Sequence, residues 1–154
     1  MRTPALLTVV FLALLVTPAS AQKAKKAVKK ADPEAAAIRA TALDYIEGWY
    51  DGDVERMTRA VHPELAKRIV YTQGEHSMLD TMGASKLIAG VRKGIGKETP
   101  KDKQRKDVTI LDRYENAASV KVMASDWIDY LHLAKVDGRW VIVNVLWELY
   151  PPKK

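Results

Sequence analysis

Two aspartates, Asp126 and Asp129, stand among apolar residues in the last third of the sequence. A carboxylate in an apolar region must be hydrogen-bonded, or its pKa must rise. A carboxyl group with a raised pKa can act as a general base near neutral pH, and a tyrosine beside it can hydrogen-bond a developing enolate. Asp129 with Tyr45 or Tyr130 would supply this chemistry. Asp126 is the reserve, because it lies nearer to a turn between two predicted strands.

The alternation of side chains along a strand limits this arrangement. Asp129 and Tyr130 are neighbours on a predicted strand, so they point to opposite faces of its sheet. Asp129 shares its face with Leu131, and Tyr130 shares the other face with His132. Without a bulge, only one of the two faces can enter a pocket. A surface or turn position is therefore the alternative interpretation of Asp129.

Other kinds of chemistry lack their residues in this sequence. There is no cysteine, which excludes disulfides, thiol catalysis and cysteine-ligated metals. The histidines, at positions 62, 76 and 132, show neither HxH nor HExxH spacing, so we expect no metal site. No glycine-rich phosphate loop opens a helix, and there is no GxSxG motif, so we expect no cofactor.

The first 21 residues have the three parts of a secretory signal peptide. Arg2 supplies a positive start, residues 5–16 are uncharged and apolar, and Ala19 and Ala21 stand at the −3 and −1 positions of a cleavage site. The apolar run is shorter than the roughly 20 residues that cross a bilayer. We therefore expect cleavage after Ala21 and a periplasmic or secreted protein; an uncleaved membrane anchor is the alternative.

The formal net charge of +6 is concentrated next to this segment. Residues 22–32 hold five lysines and one aspartate, so the domain that follows is close to neutral. This lysine-rich tail is interpreted as a solvated spacer, and weak adhesion to anionic lipid or polymer is the alternative. No aromatic residue is interleaved with the lysines, so we expect no nucleic-acid partner.

Capping residues and periodicity divide the domain, at 33–150, into helices followed by strands. Asp32 and Pro33 begin a helix that runs to about residue 50, and Asp53 begins a shorter helix that ends at His62-Pro63. The other predicted elements are a strand at 65–71, a helix at 83–93, a loop at 93–106 and strands at 107–114, 117–124, 127–136 and 139–149. This order predicts an α+β fold with about three helices on one face of a curved antiparallel sheet, and a short C-terminal tail at 151–154.

The last predicted strand, at 139–149, is apolar on both of its faces. A strand of this kind is buried on both faces. The helices can cover only one of them, and the other would be a large exposed apolar patch. We therefore expect a homodimer that forms through the sheet.

Two segments carry a resemblance to a known family. They are AIRATALDYIEGWYDGDVERMTRAVHPEL, with its Asp51-Gly52-Asp53 turn and His62-Pro63, and DYLHLAKVDGRWVIVNVLWE, with Asp137-Gly138 and Asn144. Together they resemble the "Putative lumazine-binding" family of the nuclear-transport-factor-like and SnoaL-like superfamily, over about 35–149. The resemblance implies a cone-shaped α+β fold, the cystatin-like roll, with a mostly apolar pocket between the first helix and the sheet.

Eight residues are candidates for this pocket, with Asp129 as the catalytic candidate. The ligand-binding candidates are Tyr45, Trp49, His62, Trp127, Tyr130, His132 and Trp147. For the aromatic residues the alternative is an ordinary core position, and for His62 it is a bond to backbone at a helix end.

Three functions follow from this resemblance. The first is an exported domain that binds a small apolar molecule without converting it. The second is an isomerase, cyclase or dehydratase that works by proton transfer from a pocket carboxylate. The third is a dimeric interaction module whose cone is filled by side chains. A hollow cone with converging polar groups would favour the first two.

Overall fold

The computed structural model describes residues 32–151. The predicted signal peptide, all of the lysine-rich tail except Asp32, and residues 152–154 lie outside this range. The helices are α1 (Pro33–Asp51), α2 (Val54–Ala60) and α3 (Ala84–Arg92), and the strands are β1 (Val61–Gln73), β2 (His76–Met82), β3 (Asp107–Tyr114), β4 (Ala117–Met123), β5 (Trp127–Val136) and β6 (Arg139–Leu149). Two short 3-10 helices, Ile95–Glu98 and Lys101–Lys103, lie between α3 and β3.

Helix α1 begins and ends at residues suited to those positions. The Asp32 carboxylate accepts the backbone N–H groups of Glu34 and Ala35, at 3.0 and 3.3 Å. The helix ends at Gly52, whose φ of 63° is in the left-handed region that favours glycine. The Glu34 carboxylate in the first turn accepts hydrogen bonds from Lys135 Nζ and Trp140 Nε1, both at 2.7 Å. The start of α1 is thereby attached to the β5–β6 hairpin.

The six strands form one sheet in the order β2-β1-β6-β5-β4-β3. All neighbours are antiparallel except β1 and β6, which run parallel. The predicted α+β fold with three helices is confirmed, and the sheet is mixed instead of antiparallel throughout. A parallel pair needs a long connection, and here α3 and the β3–β4–β5 meander supply it.

The segment between α2 and α3 differs from the prediction of one short strand at 65–71. It is a hairpin, in which β1 is longer than predicted and β2 follows after a turn at Gly74, whose φ is 63°. β2 was missed because almost all of its side chains are exposed. Its sequence, HSMLDTM, therefore has no alternation between apolar and polar residues to indicate a strand.

The two faces of the sheet differ in what covers them. The inner face packs against the helices and buries Val120, Leu131 and Val145 completely. The outer face is turned away from the helices, and Tyr130 and Leu146 lie opposite each other there with 44% and 47% of their surface exposed. Register shifts in three strand pairs bend the sheet, so that its inner face is concave.

Candidate functional site

A cavity of about 260 Å³ lies between helices α1 and α3 and the concave face of the sheet. Six elements contribute to its wall: α1, α3, β1, β2, β5 and β6. The lining residues are Tyr45, Trp49, Lys67, Met82, Leu87, Trp127 and Trp147. Aromatic and aliphatic side chains thus form the wall, and among the described residues Lys67 is the single charged one in it.

Lys67 and Asp129 form a buried ion pair at this wall. Lys67 Nζ lies 2.6 Å from Asp129 Oδ1. Asp129 is fully buried and Lys67 is 6% exposed. Charged groups are rarely buried to this degree unless they are paired, because each loses the solvation of water. Each of the two side chains therefore supplies the counter-charge that the other needs.

Hydrogen bonds engage both oxygens of the Asp129 carboxylate. Trp127 Nε1 donates to Oδ2 at 2.7 Å. The Tyr45 hydroxyl donates to Oδ1 at 3.4 Å, and it accepts a hydrogen bond from Lys67 Nζ at 2.8 Å. Tyr45, Lys67 and Asp129 form a closed triangle of hydrogen bonds. With Trp127 included, the Asp129 carboxylate accepts hydrogen bonds from three neighbours.

Burial shifts the proton equilibria of two members of this triangle. Desolvation lowers the pKa of Lys67, and the negative charge of Asp129 opposes that shift. Desolvation also raises the pKa of Tyr45 well above its ordinary value of 10.0, and the charge of Asp129 raises it further. Tyr45 is consequently a neutral hydroxyl at any physiological pH.

Lys67 has one donor more than its protein partners use. An ammonium carries three N–H donors. Among residues 32–151, Nζ donates to Asp129 and to Tyr45, which leaves the third donor without a protein partner. Lys67 also lies over the Trp147 ring, with Nζ 4.7 Å from the ring centroid. The wall of the cavity is therefore apolar and aromatic apart from the Lys67 ammonium.

The tryptophans of the wall are held by close packing. Trp49 and Trp127 meet edge to face, with ring centroids 6.4 Å apart. Behind Trp49, the 3-10 helix Ile95–Glu98 approaches so closely that a Cβ on Gly96 would lie 2.1 Å from the Trp49 carbonyl oxygen. Only glycine fits at this position without a shift of the backbone, because the Trp49 backbone lies where a Cβ of residue 96 would be.

The structure brings five of the eight predicted site residues together. Tyr45, Trp49, Trp127 and Trp147 line the cavity, and Asp129 lies behind Lys67 as a buried residue, not in the surface or turn position that was the alternative. The reserve carboxylate, Asp126, is exposed.

The other three predicted residues lie elsewhere, which corrects their assignment to the pocket. Tyr130 and His132 are on the outer face, since their strand neighbours Asp129 and Leu131 point inward. His132 there contacts Asn144, with 3.3 Å between Nδ1 and Nδ2. His62 lies in a separate cleft, where its Nδ1 accepts the backbone N–H of Glu64 at 3.2 Å.

Lys67 is the charged residue of the wall that was not predicted from the sequence. A signal for it existed, because Leu65, Lys67 and Ile69 share one face of the predicted strand. Leu65 is buried and Ile69 is partly buried, so a lysine between them had to be buried as well. Met82 and Leu87 were also missed as lining residues.

Among residues 32–151, no three His, Cys, Asp or Glu residues are grouped as metal ligands.

Comparison of the fold places it in a known class. It resembles an NTF2-like protein from Shewanella baltica with a TM-score of 0.62 at 21% identity, covering 78% of this chain and 96% of that one. An NTF2-like protein from Methylobacillus flagellatus gives 0.60 at 21% identity, covering 80% and 98%. A ketosteroid isomerase-like protein from Erwinia carotovora atroseptica gives 0.51 at 13% identity, covering 79% and 100%.

The helices, the bent sheet and the cavity between them thus define an α+β fold like that of NTF2-like proteins. Within this class, the sequence model of the family described as "Putative lumazine-binding" matches residues 33–148. The chain belongs to that family, as the resemblance of its two segments indicated. No curated protein matches the sequence.

Proposed function

We propose that this domain binds a small, largely apolar molecule in the cavity and anchors it through a hydrogen bond from Lys67. The observation that carries the proposal is the third N–H donor of Lys67, a residue of the cavity wall, which has no hydrogen-bond acceptor among residues 32–151. A buried donor without an acceptor costs free energy. A ligand with an acceptor atom would remove that cost, and the family description is consistent with a small ligand.

The size and wall of the cavity describe the ligand further. Its volume of about 260 Å³ is slightly below the roughly 300 Å³ at which pockets for drug-sized molecules begin. Three tryptophan rings supply flat apolar surface, which favours a planar aromatic skeleton. A molecule of one or two rings with a hydrogen-bond acceptor at one end fits this description.

The geometry supports binding over proton transfer by Asp129. Both carboxylate oxygens already accept hydrogen bonds from Lys67 and Trp127, and Asp129 is not part of the cavity wall. A general base must come within hydrogen-bond reach of the proton that it removes. Lys67 stands between Asp129 and the cavity, so a ligand would contact the lysine before the carboxylate. The cavity also disfavours an interaction module with a filled cone.

Export is part of the same proposal. The signal-peptide pattern of residues 1–21 supports it. In the part of the chain that the structure describes, no helix is long and apolar enough to cross a membrane.

Equilibrium dialysis with 2-acetonaphthone, a neutral two-ring ketone, tests the binding proposal on the full mature chain. We expect saturable binding at one site per chain. The variant Leu87→Trp fills the cavity and should abolish binding, whereas Leu146→Trp adds the same side chain on the outer face and should leave binding unchanged. Circular dichroism checks that both variants fold. Equal affinity in Leu87→Trp and wild type would place the ligand elsewhere and refute the proposal.

A further inference from the structure

We infer that Asp129 makes the cavity selective for neutral ligands and against anionic ones. This inference rests on the proposed function of the cavity and concerns the chemical class of its ligand. A lysine in a pocket wall ordinarily suggests an anionic ligand, because an ammonium can pair with a carboxylate or phosphate. Here the charge of Lys67 is already matched by Asp129, with Nζ and Oδ1 2.6 Å apart.

The charges of the site sum to zero without a ligand. Lys67 and Asp129 contribute one charge each, and the other lining residues are uncharged aromatic or aliphatic side chains. An anion that entered would lose its hydration and would place a second negative charge close to Asp129. The attraction to Lys67 would be offset by repulsion from Asp129. No net positive charge is available to repay the desolvation of the anion.

A neutral hydrogen-bond acceptor does not incur these costs of desolvation and repulsion. A carbonyl oxygen loses less hydration than a carboxylate, and it can accept the third N–H of Lys67 while the pair with Asp129 stays intact. The donor is still an ammonium, so the hydrogen bond is charge-assisted and stronger than one between neutral groups. The site therefore offers a strong donor but no excess charge.

Asp129 is in this sense a specificity-determining residue that acts through Lys67. It does not line the cavity, but Tyr45 and Trp127, which do line it, hold the Asp129 carboxylate in place by hydrogen bonds. Removing its charge while keeping its shape would leave Lys67 with an unmatched positive charge. The same cavity would then favour an anion.

The test compares two ligands of the same shape: 2-acetonaphthone, a ketone, and 2-naphthoate, its carboxylate counterpart. Dissociation constants are measured by equilibrium dialysis at pH 6, where naphthoate is ionised. We expect the wild-type protein to bind the ketone at least about tenfold more tightly than the carboxylate, since an unmatched buried charge is strongly unfavourable. Asp129→Asn should reverse this preference. Asp126→Asn changes an exposed carboxylate nearby and should keep the wild-type preference.

Asp129→Asn leaves the buried Lys67 without a counter-charge. A second variant therefore covers the case in which the Asp129→Asn protein does not fold. Lys67→Met/Asp129→Asn removes both charges. If the wild-type site is electrostatically neutral, the ratio of the two dissociation constants should agree within about threefold between wild type and this double variant. Preference of the wild-type protein for naphthoate, or an unchanged preference in a folded Asp129→Asn variant, would overturn the inference. Binding of neither compound to any variant would instead refute the proposed function.

Discussion

Lys67 and Asp129 are in contact although their strands are not neighbours. Lys67 lies on β1 and Asp129 on β5, and β6 runs between them in the sheet. Their side chains meet over the inner face of β6, above Val145 and Trp147, with 2.6 Å between Nζ and Oδ1. The ion pair thus bridges three strands, so its stability depends on the position of each.

The first prediction concerns the contribution of this pair to stability. Asp129→Asn leaves the ammonium of Lys67 buried without a counter-charge, and loss of one partner of such a pair costs about 3–5 kcal/mol. We expect the free energy of unfolding in urea to fall by this amount. The matched control, Asp126→Asn, removes an exposed carboxylate three residues away and should change stability by less than about 0.5 kcal/mol.

The double variant Lys67→Met/Asp129→Asn should recover most of the stability lost in Asp129→Asn. Methionine restores an uncharged chain of similar length, and asparagine still offers an acceptor to Trp127. A double variant as unstable as the single one would show that the charge of Lys67 is not the cause of the loss.

The second prediction concerns the glycine behind Trp49. Gly96→Ala places a methyl group 2.1 Å from the Trp49 carbonyl oxygen, so backbone must move. Overpacking of this kind costs about 1–3 kcal/mol or more, and we expect a loss at the upper end. Gly90→Ala, also beside Trp49 but with no atom nearer than 3.5 Å, should instead stabilise α3 by about 0.5–1 kcal/mol. Urea unfolding of both variants checks the contrast.

The third prediction is a pH dependence at the start of α1. Hydrogen bonds from Lys135 and Trp140 lower the pKa of Glu34 below its ordinary value of 4.5. A carboxyl group with a lowered pKa in the folded state contributes stability that is fully present above about pH 4.5 and is lost as the pH falls through its folded pKa. The urea midpoint should therefore decline less steeply between about pH 5 and 3 in Glu34→Gln than in wild type. Glu64→Gln, which changes an exposed glutamate, should retain the wild-type slope.

The fourth prediction is the homodimer that the sequence analysis expected. The outer face leaves Tyr130 and Leu146 close to half exposed in a single chain, which a partner copy would cover. Sedimentation equilibrium at micromolar concentration should give twice the monomer mass, and Leu146→Glu should give the monomer. Ile95→Glu alters a residue of similar exposure, 46%, on the 3-10 helix after α3 and should leave the dimer intact. A wild-type monomer at these concentrations would contradict the prediction.

The fifth prediction concerns processing. If residues 1–21 are a signal peptide, the protein recovered from its native host begins at Gln22 and lies outside the cytoplasm. Intact-mass measurement on fractionated cells would show this. Ala19→Lys places a large charged residue at the −3 position and should leave the precursor uncleaved. A soluble cytoplasmic pool that keeps Met1 would refute the prediction.

Much of the fold could be read from the sequence, because the elements that carry it have strong periodicity or caps. Asp32, Asp53 and Gly52 mark the helix ends, and the four C-terminal strands match their predicted bounds within one residue. β2 has no buried face, so its sequence carries no alternation. The parallel pairing of β1 with β6 was also out of reach, because local sequence does not specify which distant strand becomes a neighbour.

The candidate site could be predicted only in part from the sequence, for a similar reason. Aromatic residues on inward faces could be identified by spacing, and Tyr45, Trp49, Trp127 and Trp147 do line the cavity. The partner of Asp129 could not, because it comes from a strand 62 positions earlier in the chain. A buried charge is understandable only together with its counter-charge, so Asp129 could not be interpreted until Lys67 was found.

The parallel pairing of β1 with β6 has a consequence for how the chain is made. β1 is synthesised early, yet its neighbour toward the centre of the sheet is β6, the last strand to be synthesised. β6 pairs with β1 through residues 142–147. Contacts between such distant segments slow folding, because a long loop must close before they form. Until β6 has been synthesised, β2 is the only one of the two native strand neighbours of β1 that is available to it. The cavity therefore cannot be complete before β6 is in place, since Trp147 of its wall lies on that last strand.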